Sequence, residues 1–209
     1  KIIPQSGTTL TVGDSGDTVT LTSGANLSVD GTIKLDGNYP VGTDNVALGD
    51  TALDSVEAGG INNVAIGDHA GTAITTGDNN VAVGKDSLAA NTTASKNTAV
   101  GTSSLATNTT GPNNTAVGFN SLLSNTTGES NVAVGKGSLD ANTEGSCNVA
   151  VGEDSLGANN TGVRNVAVGT IALLSNTTGG ENTAVGWGSQ ANNTTASYST
   201  AVGFKSMCT

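Results

Sequence analysis

From residue 45 onward, apolar and polar positions follow one short pattern at a fixed period. The pattern is Asn-[Val/Thr]-Ala-Val-Gly, at 45–49, 63–67, 80–84, 97–101, 114–118, 131–135, 148–152, 165–169, 182–186 and 199–203. The first spacing is 18 residues and the next eight are 17. Such constancy is the mark of a repeat architecture. Alternation within the five residues predicts a short strand. The residue before each Gly is aliphatic in every copy, and the residue two earlier is Val or Thr. Both lie on one strand face, and the Ala between them points the other way.

The remaining twelve positions read x-x-Ser-Leu-x-x-Asn-Thr-Thr-Gly-x-x after the glycine, with departures at Gly71, Gln190 and Met207. Gly, Asn and Thr are poor helix formers, which argues against a helical repeat. Two short strands joined by two bends fit the unit, with Asn-Thr-Thr-Gly as a bend. Stacking equivalent strands at ~4.8 Å predicts an all-β fold, a parallel β-solenoid of 17 residues per coil and a rod of roughly 45 Å. Asn80, Asn97, Asn114, Asn131, Asn148, Asn165 and Asn182 would form an amide ladder along it. The invariant Ala, as in Ala82, Ala99, Ala116 and Ala133, suits the confined interior of a flattened coil. The row of Val83, Val100, Val117, Val134, Val151, Val168 and Val185 then faces outward. An exposed apolar stripe of that length calls for a partner. Three identical stripes closing on one axis satisfy it, which predicts a homotrimer.

Residues 1–43 differ. Thr9–Val12, Thr18–Leu21, Leu27–Val29 and Ile33–Leu35 alternate apolar and polar between Gly/Asp turns. They predict an irregular short-strand segment, intertwined with partner chains or continuing the solenoid. Asn38-Tyr39-Pro40 marks its boundary with a ten-copy repeat domain over 44–209, which stops partway through a repeat. The chain reads as a piece of a longer polypeptide.

Composition narrows the function. Low aromatic content, 2%, with many Gly, would suggest disorder, but the strict repeat argues against it. A net charge of −10 with only seven basic residues opposes binding to nucleic acid or anionic membrane. No apolar run approaches the ~20 residues of a membrane helix. No catalytic, cofactor or metal constellation is legible. His69 is the single histidine, beside Asp68, with no nucleophile paired to it. Glu129, Asp140, Glu153 and Asp154 share no repeat position, which leaves acid/base chemistry unsupported. The Gly-Asp-Ser-Gly-Asp run at 13–17 lacks a calcium-loop pattern and reads as turn chemistry. Cys147 and Cys208 lie 61 residues apart, too far for coils that touch only their neighbours to pair them. Asn91, Asn108, Asn125, Asn176 and Asn193 head glycosylation sequons, but their recurrence at one bend reads as turn chemistry. Phe119, Trp187 and Phe204 follow repeat glycines at an outer bend. Cover for a coil edge is the plainer reading, and sugar contact the alternative.

Asn-Val-Ala-Ile-Gly at 63–67 and the Asn-Thr-Ala-Val-Gly copies resemble the head repeats of YadA-type trimeric autotransporter adhesins, over residues 44–209. The resemblance implies a left-handed parallel β-roll with three chains around one axis and strand valines at that axis. The 17-residue coil is longer than that family's, with Asn-Thr-Thr-Gly as the excess. The repeats, with the alternating N-terminal segment, also look like bacteriophage tail-fibre sequence. These likenesses imply a structural, trimeric fibre segment in a virion, extracellular, assembling with other virion or tail proteins and supporting attachment to a host surface receptor. The alternative is the head of a bacterial surface adhesin. An ice-binding monomer using Thr92, Thr109, Thr126 and Thr177 is a lesser one, because adjacent threonines do not share a strand face.

Overall fold

The computed structural model describes residues 44–57 and 59–207. The expectations for residues 1–43, and for Cys208, lie outside the described residues. Ten three-residue strands follow one another: β1 (Val46–Leu48), β2 (Val64–Ile66), β3 (Val81–Val83), β4 (Thr98–Val100), β5 (Thr115–Val117), β6 (Val132–Val134), β7 (Val149–Val151), β8 (Val166–Val168), β9 (Thr183–Val185) and β10 (Thr200–Val202). They form one parallel sheet in chain order, β1 to β10. Equivalent residues align, as in Thr98↔Thr115, Ala99↔Ala116 and Val100↔Val117. The repeat is therefore a parallel β-solenoid of about 17 residues per coil.

Hydrogen bonding runs to both neighbouring coils. The N–H of Thr98 donates to Asn114 O, one coil on, at 2.8 Å, and that of Gly101 to Val83 O, one coil back, at 2.7 Å. The glycine after each strand is obligatory. Gly118 has φ +139°, and a Cβ there would sit 2.5 Å from the carbonyl oxygen of Gly135 in the next coil. No L side chain fits that approach.

The strand expected in the second half of each coil is absent, and tight turns take its place. The cause lies in the backbone. Leu88, Leu105, Leu122, Leu139, Leu156 and Leu173 adopt φ of +50° to +52°. A left-handed leucine costs roughly 1–2 kcal/mol. All six are completely buried, and burying a leucine is worth about 1.5–3 kcal/mol, so burial offsets the strain. The left-handed turn swings each Leu inward to pack with the Ala row, and this thin Ala–Leu layer is the hydrophobic core. Around it, Leu122 N–H bonds forward to Ser138 O, whereas Asn120 N–H bonds back to Thr102 O.

One coil departs from the pattern by exchange. Gly71 replaces the leucine, and Ile74 stands where later coils have Asn. A Cβ on Gly71 would lie 3.0 Å from the Ile74 side chain, so the isoleucine fills the vacated core volume from the opposite corner.

Candidate functional site

The strand places its three side chains on two unlike surfaces. Ala82, Ala99, Ala116 and Ala133 are buried inside the coil. Their neighbours stand outside. Val100, Val117, Val134 and Val168 are 36–37% exposed, Ile66 39% and Leu48 47%. Val83, Val151 and Val185 are half-buried in the same row. Beside it runs a half-buried row of Val64, Val81, Thr98, Thr115, Val132, Val149, Val166 and Thr183. The outer face of the sheet is thus a double stripe of aliphatic and Thr side chains without a charge. Its strands are spaced by ~4.8 Å, so ten of them extend about 43 Å.

Two asparagine ladders hold this face. In the first, the Oδ1 of each strand-leading Asn accepts from the backbone N–H of its counterpart one coil on. Asn97 N bonds Asn80 Oδ1, Asn114 N bonds Asn97 Oδ1, and Asn131, Asn148, Asn165 and Asn182 continue the series at 2.9–3.0 Å. The Nδ2 of the same residues closes the coil on itself, as Asn131 Nδ2 to Gly145 O at 2.8 Å. Asn97 is an exception: its Nδ2 has no partner, and Gly111 O accepts instead from Asn108 and Asn114.

The second ladder is formed by Asn91, Asn108, Asn125, Asn142, Asn159 and Asn176, the residues read from sequence as a bend. Each is fully buried. Side-chain amide bonds side-chain amide along the stack: Asn108 to Asn91 at 3.0 Å, Asn125 to Asn108 and Asn142 to Asn125 at 2.8 Å. Each Nδ2 also donates to the carbonyl three residues on, as Asn125 to Gly128 at 3.0 Å. Complete pairing matters, because an unpaired buried amide costs about 1–3 kcal/mol. The burial also withholds the sequon asparagines at 91, 108, 125 and 176 from a glycosylating enzyme once the chain is folded. The threonines that follow are committed as well: Thr92, Thr109, Thr126 and Thr177 each donate a hydroxyl to the carbonyl of the next coil.

Charged groups occupy the outer turns. Lys85–Asp68 (2.5 Å), Lys136–Glu153 (2.9 Å) and Arg164–Glu181 (3.1 Å) bridge neighbouring coils at exposed positions, where ion pairs contribute little. Hydrogen bonding to Lys85 lowers the Asp68 pKa. Burial, then the charge of Asp154, raises that of Asp140. His69 lies 3.3 Å from Asp86 and 3.5 Å from Asp68 on the surface. Cys147 is exposed and unpaired. No three metal-ligating side chains converge among the described residues. No helix among them is long and apolar enough to cross a membrane. Trp187 and Phe204 stack with ring centroids 5.2 Å apart, and Lys205 lies over both.

No protein-family model, curated protein or solved structure matches the chain.

Proposed function

We propose that this chain is a structural segment of a trimeric extracellular fibre, in which three copies close their sheet faces around one axis. The supporting observation is the uncharged double stripe, with Val100, Val117, Val134 and Val168 still more than a third exposed in the single chain. Burying a valine fully is worth about 1.5 kcal/mol, so hiding its exposed third returns roughly 0.5 kcal/mol. Ten such residues give on the order of 5 kcal/mol per chain, at the lower edge of the ~4–15 kcal/mol that association costs. The adjoining Val/Thr row must therefore join the interface. Left-handed coiling is what the likeness of the strand repeats to adhesin heads implies.

The tail-fibre likeness favours a virion, with the rod carrying a receptor-contacting part of a longer protein toward a host cell. The Asn-Val-Ala-Ile-Gly strand favours the head of a bacterial surface adhesin as the second reading. The full-length gene separates them: a virion-attachment domain upstream selects the first, a coiled-coil stalk and membrane anchor downstream the second.

Sedimentation equilibrium tests the trimer. The expected mass is three times the 20.3 kDa chain. Val117→Asp with Val134→Asp should abolish that mass, with β-structure followed by circular dichroism. A folded single chain both before and after the double substitution ends the proposal.

A further inference from the structure

The residue after each repeat glycine forms an outer row of mostly polar side chains: Asp68, Lys85, Thr102, Lys136, Glu153 and Thr170. Aromatic residues interrupt it three times. Phe119 stands alone between Thr102 and Lys136, one coil either way, whereas Trp187 and Phe204 fall on successive coils and stack at 5.2 Å with 17° between their planes. Trp187, with described coils on both sides of it, remains 42% exposed, and Phe204 stands on the last described coil. Beside them is a cavity of about 380 Å³ lined by Ile171, Trp187, Ala191, Asn192 and Lys205 among others. That volume lies within the ~300–1,000 Å³ range of small-ligand sites. Lys85 and Lys136 pair with carboxylates, but among the described residues Lys205 makes no ion pair and sits 5.2 Å from the Trp187 ring centre.

We infer that this corner is a binding site for a single pyranose ring of a polysaccharide. A pyranose has a C–H face carrying partial positive charge and an equator of hydroxyls. The electron-rich indole face suits the former. The Lys205 ammonium suits the latter as a donor. Ile171 and Ala191 add apolar lining. An exposed aromatic patch adjoining a shaped cavity, with a cationic donor at its rim, is the pattern of a ligand site. The inference uses the turns of coils 170–205 and not the sheet face, so it stands or falls apart from the trimer.

Trp187 is the only tryptophan in the chain, so its fluorescence reports the site directly. The purified chain is titrated with methyl glycosides of glucose, galactose, N-acetylglucosamine and glucuronic acid, with saturation-transfer NMR in parallel. At least one pyranoside should shift Trp187 emission saturably, with a dissociation constant of about 1 mM, as a single shallow site allows. Lys205→Ala should weaken that binding about tenfold, the loss expected of one charge-assisted hydrogen bond. Phe204→Ala should weaken it too, whereas Phe119→Ala should leave it unchanged. Preference for the glucuronide would mean that Lys205 pairs with the carboxylate; equal binding of the glucoside, that it meets a hydroxyl. Silence from all four sugars at tens of millimolar overturns the inference. Unaltered binding in both Lys205→Ala and Phe204→Ala does so as well. Failure of iodide to quench Trp187 in the native protein also overturns it, since a neighbouring chain would then cover the corner.

Discussion

Along the strand wall of a coil, residues 114–118 for instance, the interior receives an alanine and the exterior a Thr and a Val. Along the turn wall, residues 119–130, the interior receives Ser121, Leu122 and Asn125, and the exterior is polar apart from Phe119 and the half-buried Leu123. The turn wall completes itself. Its large apolar group and its amide are both inside and satisfied by neighbouring coils of the same chain. The strand wall keeps its small residue inside and its larger ones out. The difference teaches that stability of the single chain resides mainly in the turn wall, and that the strand wall carries the apolar surface on which the proposed association rests.

The hinge between the walls is the first place to break this division. Gly118→Ala places a methyl against the Gly135 carbonyl at φ +139°. The expected loss is about 3 kcal/mol or more, read as a lowered urea midpoint. Next, Leu122→Ala should cost about 2–5 kcal/mol in assembled and dissociated protein alike. Val117→Ala should cost under ~1 kcal/mol in the dissociated chain while raising the concentration needed for assembly. Equal stability losses at Leu122 and Val117 in dissociated chains would erase the proposed division. Asn125→Ala orphans a donor on Asn142 and should cost about 1–3 kcal/mol, seen as lost protection of nearby amides from hydrogen exchange.

The smallest effect concerns Asp140. Its raised pKa means that the folded state disfavours the charged form. That penalty is absent below the ordinary carboxylate range, where the group is protonated both folded and unfolded. It is fully developed above the raised value. Asp140→Asn should therefore raise the melting temperature slightly at neutral pH and leave it unchanged in acid. The same gain at both pH values would show that the charge is not responsible.

Much of the sheet was legible because period 17 and the Val-Ala-Val alternation leave one register. The turn wall was harder to read. Leu122 lies two residues from an Asn and follows a Ser, a pattern that suits a second strand. Nothing local announces that it turns left-handed, because only burial against a stacked coil repays that conformation. The second asparagine ladder has a local signature in the sequence. A bend accepts Gly, Asp or Asn in turn, yet Asn recurs from Asn91 to Asn193, and the substitutes at the equivalent sites are Val56 and Ile74. Aliphatic replacement of a polar residue marks an inward position. The aromatic corner needed coordinates for another reason: spacing places Trp187 and Phe204 one coil apart, but not the cavity beside them.

The Oδ1 of each strand-leading asparagine presents to the following coil the same acceptor that its own backbone N–H met in the coil before. One winding is thus chemically interchangeable with the next. At the level of the gene, an in-frame duplication or deletion of a single repeat would lengthen or shorten the stack without creating a new kind of contact. Reach could then be altered by recombination between neighbouring copies, and selection could set it one winding at a time.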